Sequence, residues 1–163
     1  MISDDVAAGE MAIDTLYEFG HRQIAISNKW QKRWQGMTAR SKKLGVNFTS
    51  YLDLNEILPL LKRAPGVTAI AAYDDMEACD ILYLLRSNGY RVPDDISVIG
   101  FDGLPIGNRD EIQLTTIAQQ RQTLGTQAVI LAADLIEKRR NKPETVVLSP
   151  KKIIRKTVAL CKR

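Results

Sequence analysis

Short, mostly apolar runs alternate along this chain with longer segments of helical period. Runs of this kind, without polar alternation, are typical of strands that are buried on both faces of a parallel sheet. Gly20, Gly45 and Gly89 each end one of the helical segments, because glycine enters the left-handed conformation without a steric penalty. The predicted strands are Gln23–Ser27, Val67–Tyr73, Ile96–Phe101, Leu114–Ala118, Glu144–Leu148 and Lys152–Val158. The predicted helices are 6–19, a polar segment up to Leu44, Asp53–Arg63, Asp75–Asn88 and Gln122–Lys138.

This alternation of strands and helices predicts the fold class. Strands that are separated by helices form parallel βαβ units, in which the helices cover both faces of the sheet. The chain has 163 residues, of which 45% are hydrophobic and 26% charged. It is therefore long enough for one α/β domain, or for two lobes that share a chain.

The sequence gives no support for a membrane protein, a disulfide framework or a metal centre. No apolar run approaches the ~18 residues of a membrane span, and the opening residues Met1–Asp5 are too polar for a signal peptide. The two cysteines, Cys79 and Cys161, lie far apart, and His21 is the single histidine. We expect a cytoplasmic protein without a metal ion or a cofactor.

Charge is distributed unevenly between the two ends of the chain. The net charge is +4, but residues 138–163 contain ten Lys and Arg and one acid, Glu144, so the rest of the chain is acidic. The basic segment contains no aromatic residue for base stacking and belongs to no recognisable nucleic-acid module. A solvated basic end is therefore favoured over direct contact with nucleic acid.

Motifs of catalysis are absent from the sequence. It has no glycine-rich phosphate loop, no nucleophile elbow and no zinc-protease motif. Aspartates next to helices commonly cap the helix N-terminus, and this role is predicted for Asp75, Asp94 and Asp95. A hydrolase that uses Asp74 and Asp102 is the alternative, but no feature of the sequence indicates a raised-pKa acid beside a nucleophile. We expect no enzymatic activity.

Polar residues follow three of the predicted strands. Ser27 and Asn28 end the first strand, and Asp74 and Asp102 follow the two later ones. In open parallel sheets, ligands bind outside the carboxyl ends of the strands, and carboxylates there accept hydrogen bonds from hydroxyl groups. The residues alone leave two interpretations open, namely a sugar-like or nucleoside ligand and aspartates that only structure the loops.

A longer motif resembles a known family. The stretch Asp75–Asp102 (DMEACDILYLLRSNGYRVPDDISVIGFD), followed by Leu114–Ile117 (LTTI), is similar to the LacI/GalR family of bacterial transcriptional repressors. Further matches in the same order are Gly20–Ile24, Arg33-x-x-Gly36, Leu124-Gly125-x-x-Ala128 and Pro150-x-x-Ile153-Ile154-Arg155. The resemblance implies a periplasmic-binding-protein-like effector domain, with two α/β lobes around a small-molecule cleft.

The resemblance also implies which residues bind the effector. Arg33 matches a position that hydrogen-bonds effector hydroxyls or carboxylates, and Asp102 matches one that binds effector hydroxyls. Phe48 lies at the position of an aromatic ring that stacks on the effector. Asp74 replaces the usual asparagine, which favours a ligand rich in donors. Phe48 could instead belong to the core, and Arg33 could be a solvated helix residue.

Family members begin with a helix-turn-helix headpiece that this chain does not contain. We therefore predict the effector-sensing and dimerisation part of a repressor, which would reach operator DNA only through such a headpiece. The alternative is a solute-binding protein of sugar transport. We expect residues 1–20 to be a remnant of the N-terminal lobe with the crossover, and residues 21–118 to form the C-terminal effector lobe. Residues 119–142 are expected to form a helix of the N-terminal lobe, and residues 143–163 the return strands of the C-terminal lobe with the basic tail.

Two apolar stripes are predicted on the helix 75–88. Ala78, Ile81, Leu82 and Leu85 suffice to cover the sheet, which leaves Met76, Cys79 and Tyr83 as a second stripe. In the resembled family this helix and the loop with Leu104 and Ile106 contribute to a homodimer interface. We also expect the helix that carries Leu124, Ala128, Leu131 and Leu135 to expose an apolar face.

Overall fold

Six strands form the main sheet of the molecule, a computed structural model that describes residues 2–137, 139 and 145–162. The strands are β1 (Ile2–Ser3), β2 (Gln23–Ser27), β3 (Asn47–Tyr51), β4 (Ala69–Ala71), β5 (Ser97–Asp102), β6 (Thr115–Ala118), β7 (Val147–Leu148) and β8 (Lys151–Ile153). The helices are α1 (Asp5–Glu18), α2 (Gln31–Leu44), α3 (Ile57–Arg63), α4 (Asp75–Ser87) and α5 (Arg121–Ile136). Short 3-10 helices cover Leu54–Glu56 and Pro105–Asn108.

The strand order of the main sheet is β3-β2-β4-β5-β6-β8. The first five of these strands are parallel, and β8 alone runs antiparallel, against β6. A separate parallel pair joins β1 to β7. The predicted α/β class with a mostly parallel sheet is thus confirmed.

Helices cover the sheet on both faces, as the continuous apolar strands predict. Along β2, Ala25 faces the α3 and α4 side, where Leu60 and Ile81 complete the core. Ile24 and Ile26 face the other side, which α1 and α2 cover. Every strand in the middle of the sheet therefore buries both sets of alternating side chains.

Several elements differ from the sequence-based expectation. Strand β3 was not predicted, because Asn47–Tyr51 is largely polar and only Tyr51 is fully buried. The predicted closing strand 152–158 is reduced to the three residues of β8. Pro59 lies in the first turn of α3, where its missing N–H costs no helical hydrogen bond. The predicted ends Lys138 and Glu144 lie outside the described residues.

Helices α1 and α2 cross with their backbones in direct contact. A Cβ atom at Gly9 would overlap the carbonyl oxygen of Arg33, and one at Gly36 would overlap that of Val6. Only glycine permits this close approach of the two helices. Helix α1 lies in the predicted segment 1–20, and its buried residues, such as Ile13, belong to the core of the six-stranded sheet.

Candidate ligand-binding site

Arg33 is the centre of a buried polar cluster at the carboxyl ends of the strands. Its side chain lies in the first turn of α2 and is held by acceptors from three different parts of the chain. Nε donates to Asp5 Oδ1 over 3.0 Å, Nη1 to the Tyr73 carbonyl over 2.8 Å, and Nη2 to Asp102 Oδ1 over 2.6 Å. The guanidinium carbon also lies 4.9 Å from the centre of the Phe101 ring. Arg33 is only 7% exposed, so the interpretation as a solvated helix residue is wrong.

Asp102 occupies the end of β5 in a strained backbone conformation. Its φ of +92° lies in a region that residues other than glycine rarely adopt. Oδ1 accepts hydrogen bonds from both Arg33 and Gln119, the latter over 2.8 Å. Within the described residues Oδ2 receives no hydrogen bond, and the side chain is 23% exposed. Strain of this kind is concentrated at functional sites, and here it presents a carboxylate oxygen that can accept a ligand hydroxyl.

A second cluster surrounds Glu77, which is 7% exposed. Its carboxylate accepts from the Tyr73 backbone N–H over 2.6 Å, from the Tyr51 hydroxyl over 3.2 Å and from Lys29 Nζ over 2.5 Å. The hydrogen bond to Glu77 raises the pKa of Lys29. Burial, and then the charge of Glu77, raise the pKa of Tyr51 well above its usual value. This cluster ties the loop after β2 to the start of α4.

Sequence reasoning missed the Glu77 cluster. Its members are 26 and 48 residues apart along the chain, and Tyr51 ends the strand that was not predicted. A usable signal was the position of Lys29, shortly after the predicted strand 23–27 and therefore at the carboxyl edge. The charged Glu77 within the apolar pattern of α4 was a second signal.

The neighbours Asp74 and Asp75 have different roles at the start of α4. Asp74 caps α4, because its Oδ1 accepts from the Glu77 N–H over 2.7 Å. Asp75 is fully buried and accepts from the Thr116 hydroxyl over 2.6 Å and the Leu104 N–H over 2.5 Å. The prediction that Asp75 caps the helix is therefore wrong. Burial raises its pKa to about 6, against the opposing effect of these hydrogen bonds.

The predicted caps Asp94 and Asp95 are also wrong. Asp95 accepts hydrogen bonds from the backbone and side chain of Arg91, and Asp94 forms an ion pair with Lys162. No helix begins at either residue, since the next described element is strand β5.

The structure does not bring all four expected ligand residues together. Arg33 and Asp102 are bonded to each other, and Asp74 follows Tyr73, whose carbonyl holds Arg33. Phe48 lies elsewhere: it pairs with Ile24 in the first half of β3 and packs, half-buried, against the core on the α1 and α2 side. It is three residues before the carboxyl end of its strand, a distance of roughly 10 Å.

Three of the expected dimer residues lie on α4 and two lie in the loop after β5. Met76 is 50% and Tyr83 77% exposed, whereas Cys79, Leu104 and Ile106 are half-buried. A cavity of about 470 Å³ beside Cys79 and Tyr83 extends to Ile112. The first stripe of α4 is buried in the core as predicted.

None of the helices in the described part of the chain is long and apolar enough to cross a membrane. Among the same residues, no group of three or more His, Cys, Asp or Glu side chains is arranged to hold a metal ion.

Comparison with known proteins identifies related domains over almost the whole length. Residues 13–158 match the family model of the periplasmic binding protein-like domain. The arabinose metabolism transcriptional repressor of Geobacillus stearothermophilus is 35% identical over 93% of this chain and 47% of its own length. The chain spans about half the length of the curated relatives it matches.

Solved structures agree with this result. A LacI-family transcriptional regulatory protein from Corynebacterium glutamicum superposes with a TM-score of 0.86 at 32% identity, covering 96% of this chain and 66% of that one. The complex of the transcriptional regulator CelR with cellobiose superposes with a TM-score of 0.82 at 26% identity, covering 96% of this chain and 53% of that one.

Proposed function

This chain belongs to the LacI/GalR family through its periplasmic binding protein-like domain, and we propose that it is the effector-sensing part of a transcriptional repressor. Its ligand is a sugar or a related small polyol, which binds at the carboxyl ends of β2, β4 and β5. Operator control is a function of the repressor as a whole.

The observation that carries this proposal is the pair of Arg33 and Asp102. A buried guanidinium orients Asp102 through Oδ1, while Oδ2 has no hydrogen-bond donor among the described residues. The strained φ of Asp102 holds this oxygen at the strand edge, where parallel sheets bind ligands. The related regulator that is complexed with cellobiose supports a sugar as the class of ligand.

The relatives favour a regulator over the other two functional classes. Four relatives that match 93% or more of this chain are named transcriptional regulators or repressors, not transport proteins or enzymes. We therefore propose that the chain senses its ligand without chemically changing it.

Isothermal titration with a panel of pentoses, hexoses and disaccharides tests the proposal. Asp102→Ala removes a charge-assisted acceptor and should weaken binding by about 2–3 kcal/mol, or roughly 30- to 150-fold. The matched control is Asp94→Ala, since Asp94 is an exposed carboxylate that precedes β5, outside the site and the proposed dimer interface. Equal affinity of the Asp102→Ala variant and the unchanged chain would contradict the proposed site, as would the absence of any sugar binding.

We propose that the outer side of α4, with Met76, Cys79 and Tyr83, and the loop with Leu104 and Ile106 form a homodimer interface. A two-fold contact places the same patch on both subunits, which suits one small apolar stripe. Tyr83→Asp introduces a charge there and should convert a dimer to a monomer in sedimentation experiments. A monomeric unchanged chain at high micromolar concentration would contradict this interface.

This 163-residue chain alone should not select an operator sequence. The basic residues near its end would give only weak contacts that weaken steeply with salt, because such binding depends on counterion release. Gel-shift titration at physiological salt, with operator-like and random duplexes, measures the difference. Selective retention of one duplex by this chain would contradict the proposal.

A further inference from the structure

A cavity of about 840 Å³ adjoins the Asp102 site on the side of β6 and β8. Its lining residues include three cationic ones, Arg121, Lys151 and Lys152, and no Asp or Glu. Gly103 and Gln119 also line the cavity. Gly103 follows Asp102 in the sequence, and Gln119 donates a hydrogen bond to the Asp102 carboxylate. The cavity therefore lies beside the candidate sugar site but has the opposite charge.

Strand register fixes the distance between the Asp102 site and the basic cavity. Asp102 pairs with Ala118, and Ala118 pairs with Lys151, so the three residues form one row across β5, β6 and β8. Neighbouring strands lie about 4.8 Å apart, which places the backbones of Asp102 and Lys151 roughly 10 Å from each other. A single sugar ring with one substituent spans such a distance.

The cations of the cavity differ in how far they are already neutralised. Lys152 forms an ion pair with Glu18 over 2.6 Å. Arg121 donates from Nη2 to the uncharged backbone carbonyl of Asp102 over 2.7 Å. This bond places the Arg121 guanidinium between the Asp102 site and the cavity. Lys151 is exposed and has no ion-pair partner among the described residues. Arg121 and Lys151 thus remain available to an anionic group.

We propose that the effector is an anionic polyol, namely a sugar that carries a phosphate or a carboxylate. Its hydroxyls bind Asp102, and its anionic group binds Arg121 and Lys151 in the cavity. This inference rests on the proposed function, since it specifies the ligand class of the same site. Charge-assisted bonds from a guanidinium and an ammonium are stronger than bonds between neutral groups, so the anionic group should add affinity.

Calorimetry on the full chain with matched pairs of ligands tests the inference. The pairs are ribose with ribose 5-phosphate, glucose with glucose 6-phosphate, and glucose with glucuronate. The first two pairs test a phosphate group, and the third tests a carboxylate. In at least one pair the anionic member should bind 10-fold tighter or more. Arg121→Gln and Lys151→Gln should each reduce this advantage below 3-fold. Only Lys151→Gln should leave the affinity for the neutral sugar unchanged, because Arg121 also donates a hydrogen bond to the backbone carbonyl of Asp102. Lys156→Gln, which removes a charge from the same basic segment outside the cavity, should leave the advantage intact.

Inorganic phosphate alone tests the cavity without a sugar. In heteronuclear NMR spectra it should shift the amide signals of residues 119–123 and 151–152, and an equal ionic strength of chloride should not. The absence of these shifts would overturn the inference, and so would an anionic member that binds no better than its neutral partner in every pair. In either case, neutral sugars that bind and depend on Asp102 would leave the proposed function standing.

Discussion

Two regions of the molecule differ strongly in how much of their side chains they bury. One is the six-stranded sheet with α1 to α4, and the other is the long helix α5. The sheet is covered on both faces, and its central strands and their helices contribute nearly all of the buried hydrophobic residues. Helix α5 has 16 residues and buries none of them. Val129, Ile130, Leu135 and Ile136 are between 40% and 79% exposed.

The difference shows that helical period and burial are separate properties. Both α4 and α5 were predicted from apolar residues at helical spacing, and both are helices. The apolar face of α4 has a sheet to cover, whereas α5 has no comparable layer among the described residues. Substitutions should therefore have large effects in the first region and small ones in the second.

Deleting the same side-chain atoms in the two regions should give the largest contrast. Ile81 is fully buried on α4, so Ile81→Ala should lower the free energy of unfolding by about 2–5 kcal/mol. Ile136, which is 79% exposed on α5, provides the matched control. Ile136→Ala should change the free energy of unfolding by no more than about 0.5 kcal/mol. Urea unfolding monitored by circular dichroism measures both values. Similar losses for the two variants would show that α5 is as well packed as α4.

The sequence predicts the elements that depend on local interactions and misses those that depend on distant ones. Helix ends at Gly45 and the strand Gln23–Ser27 depend on local pattern and are found where they were predicted. Strand β3 depends on pairing with β2, and its own polar sequence carries little strand signal. A local pattern also cannot show which of Asp74 and Asp75 is the cap, because a shift of one residue exchanges the roles.

The candidate site was predictable only in part. Arg33 and Asp102 were expected from the family resemblance, and the structure joins them across 69 residues. Phe48 was placed by counting without gaps, and the strand that carries it places it far from the strand edge. The partners Asp5 and Gln119 depend on how α1 and β6 pack beside β5, which no local pattern records.

The buried carboxyl group of Asp75 should give the sheet region a distinctive pH dependence. Its pKa is raised to about 6, so between about pH 4 and 6 the folded protein retains a proton that the unfolded chain has released. This group therefore lowers stability as the pH rises, by about 3 kcal/mol at most. Asp75→Asn keeps the shape without the charge, so its stability relative to the unchanged chain should increase from pH 4 to pH 7.

Unfolding in urea at several pH values measures this relative stability. Asp80→Asn, at an exposed position of the same helix, controls for the general loss of a negative charge. A difference between the Asp75→Asn variant and the unchanged chain that is constant over this pH range would contradict the expected titration.

One substitution, glycine to alanine, should have opposite signs in the two regions. In α2, a Cβ at Gly36 would overlap the Val6 carbonyl, so Gly36→Ala should destabilise the crossing of α1 and α2 by about 1–3 kcal/mol. In α5, a Cβ at Gly125 would meet no atom within 4 Å, so Gly125→Ala should stabilise the helix by up to about 1 kcal/mol. Thermal unfolding distinguishes the two signs. Destabilisation by Gly125→Ala would show that another part of the molecule packs closely on α5.

The smallest effect on stability is expected where α5 is most exposed. Val129 and Ile136 are 69% and 79% exposed, so the double variant Val129→Ser, Ile136→Ser should alter the free energy of unfolding by less than about 0.5 kcal/mol. The same change removes apolar surface that promotes association, so it should raise the concentration at which the protein begins to aggregate in light scattering. The control is the pair Lys42→Ser, Lys43→Ser, which alters exposed polar positions on α2. If the α5 variant instead loses more than 1 kcal/mol, these two side chains are covered in solution and the contrast between the two regions is smaller than their exposures indicate.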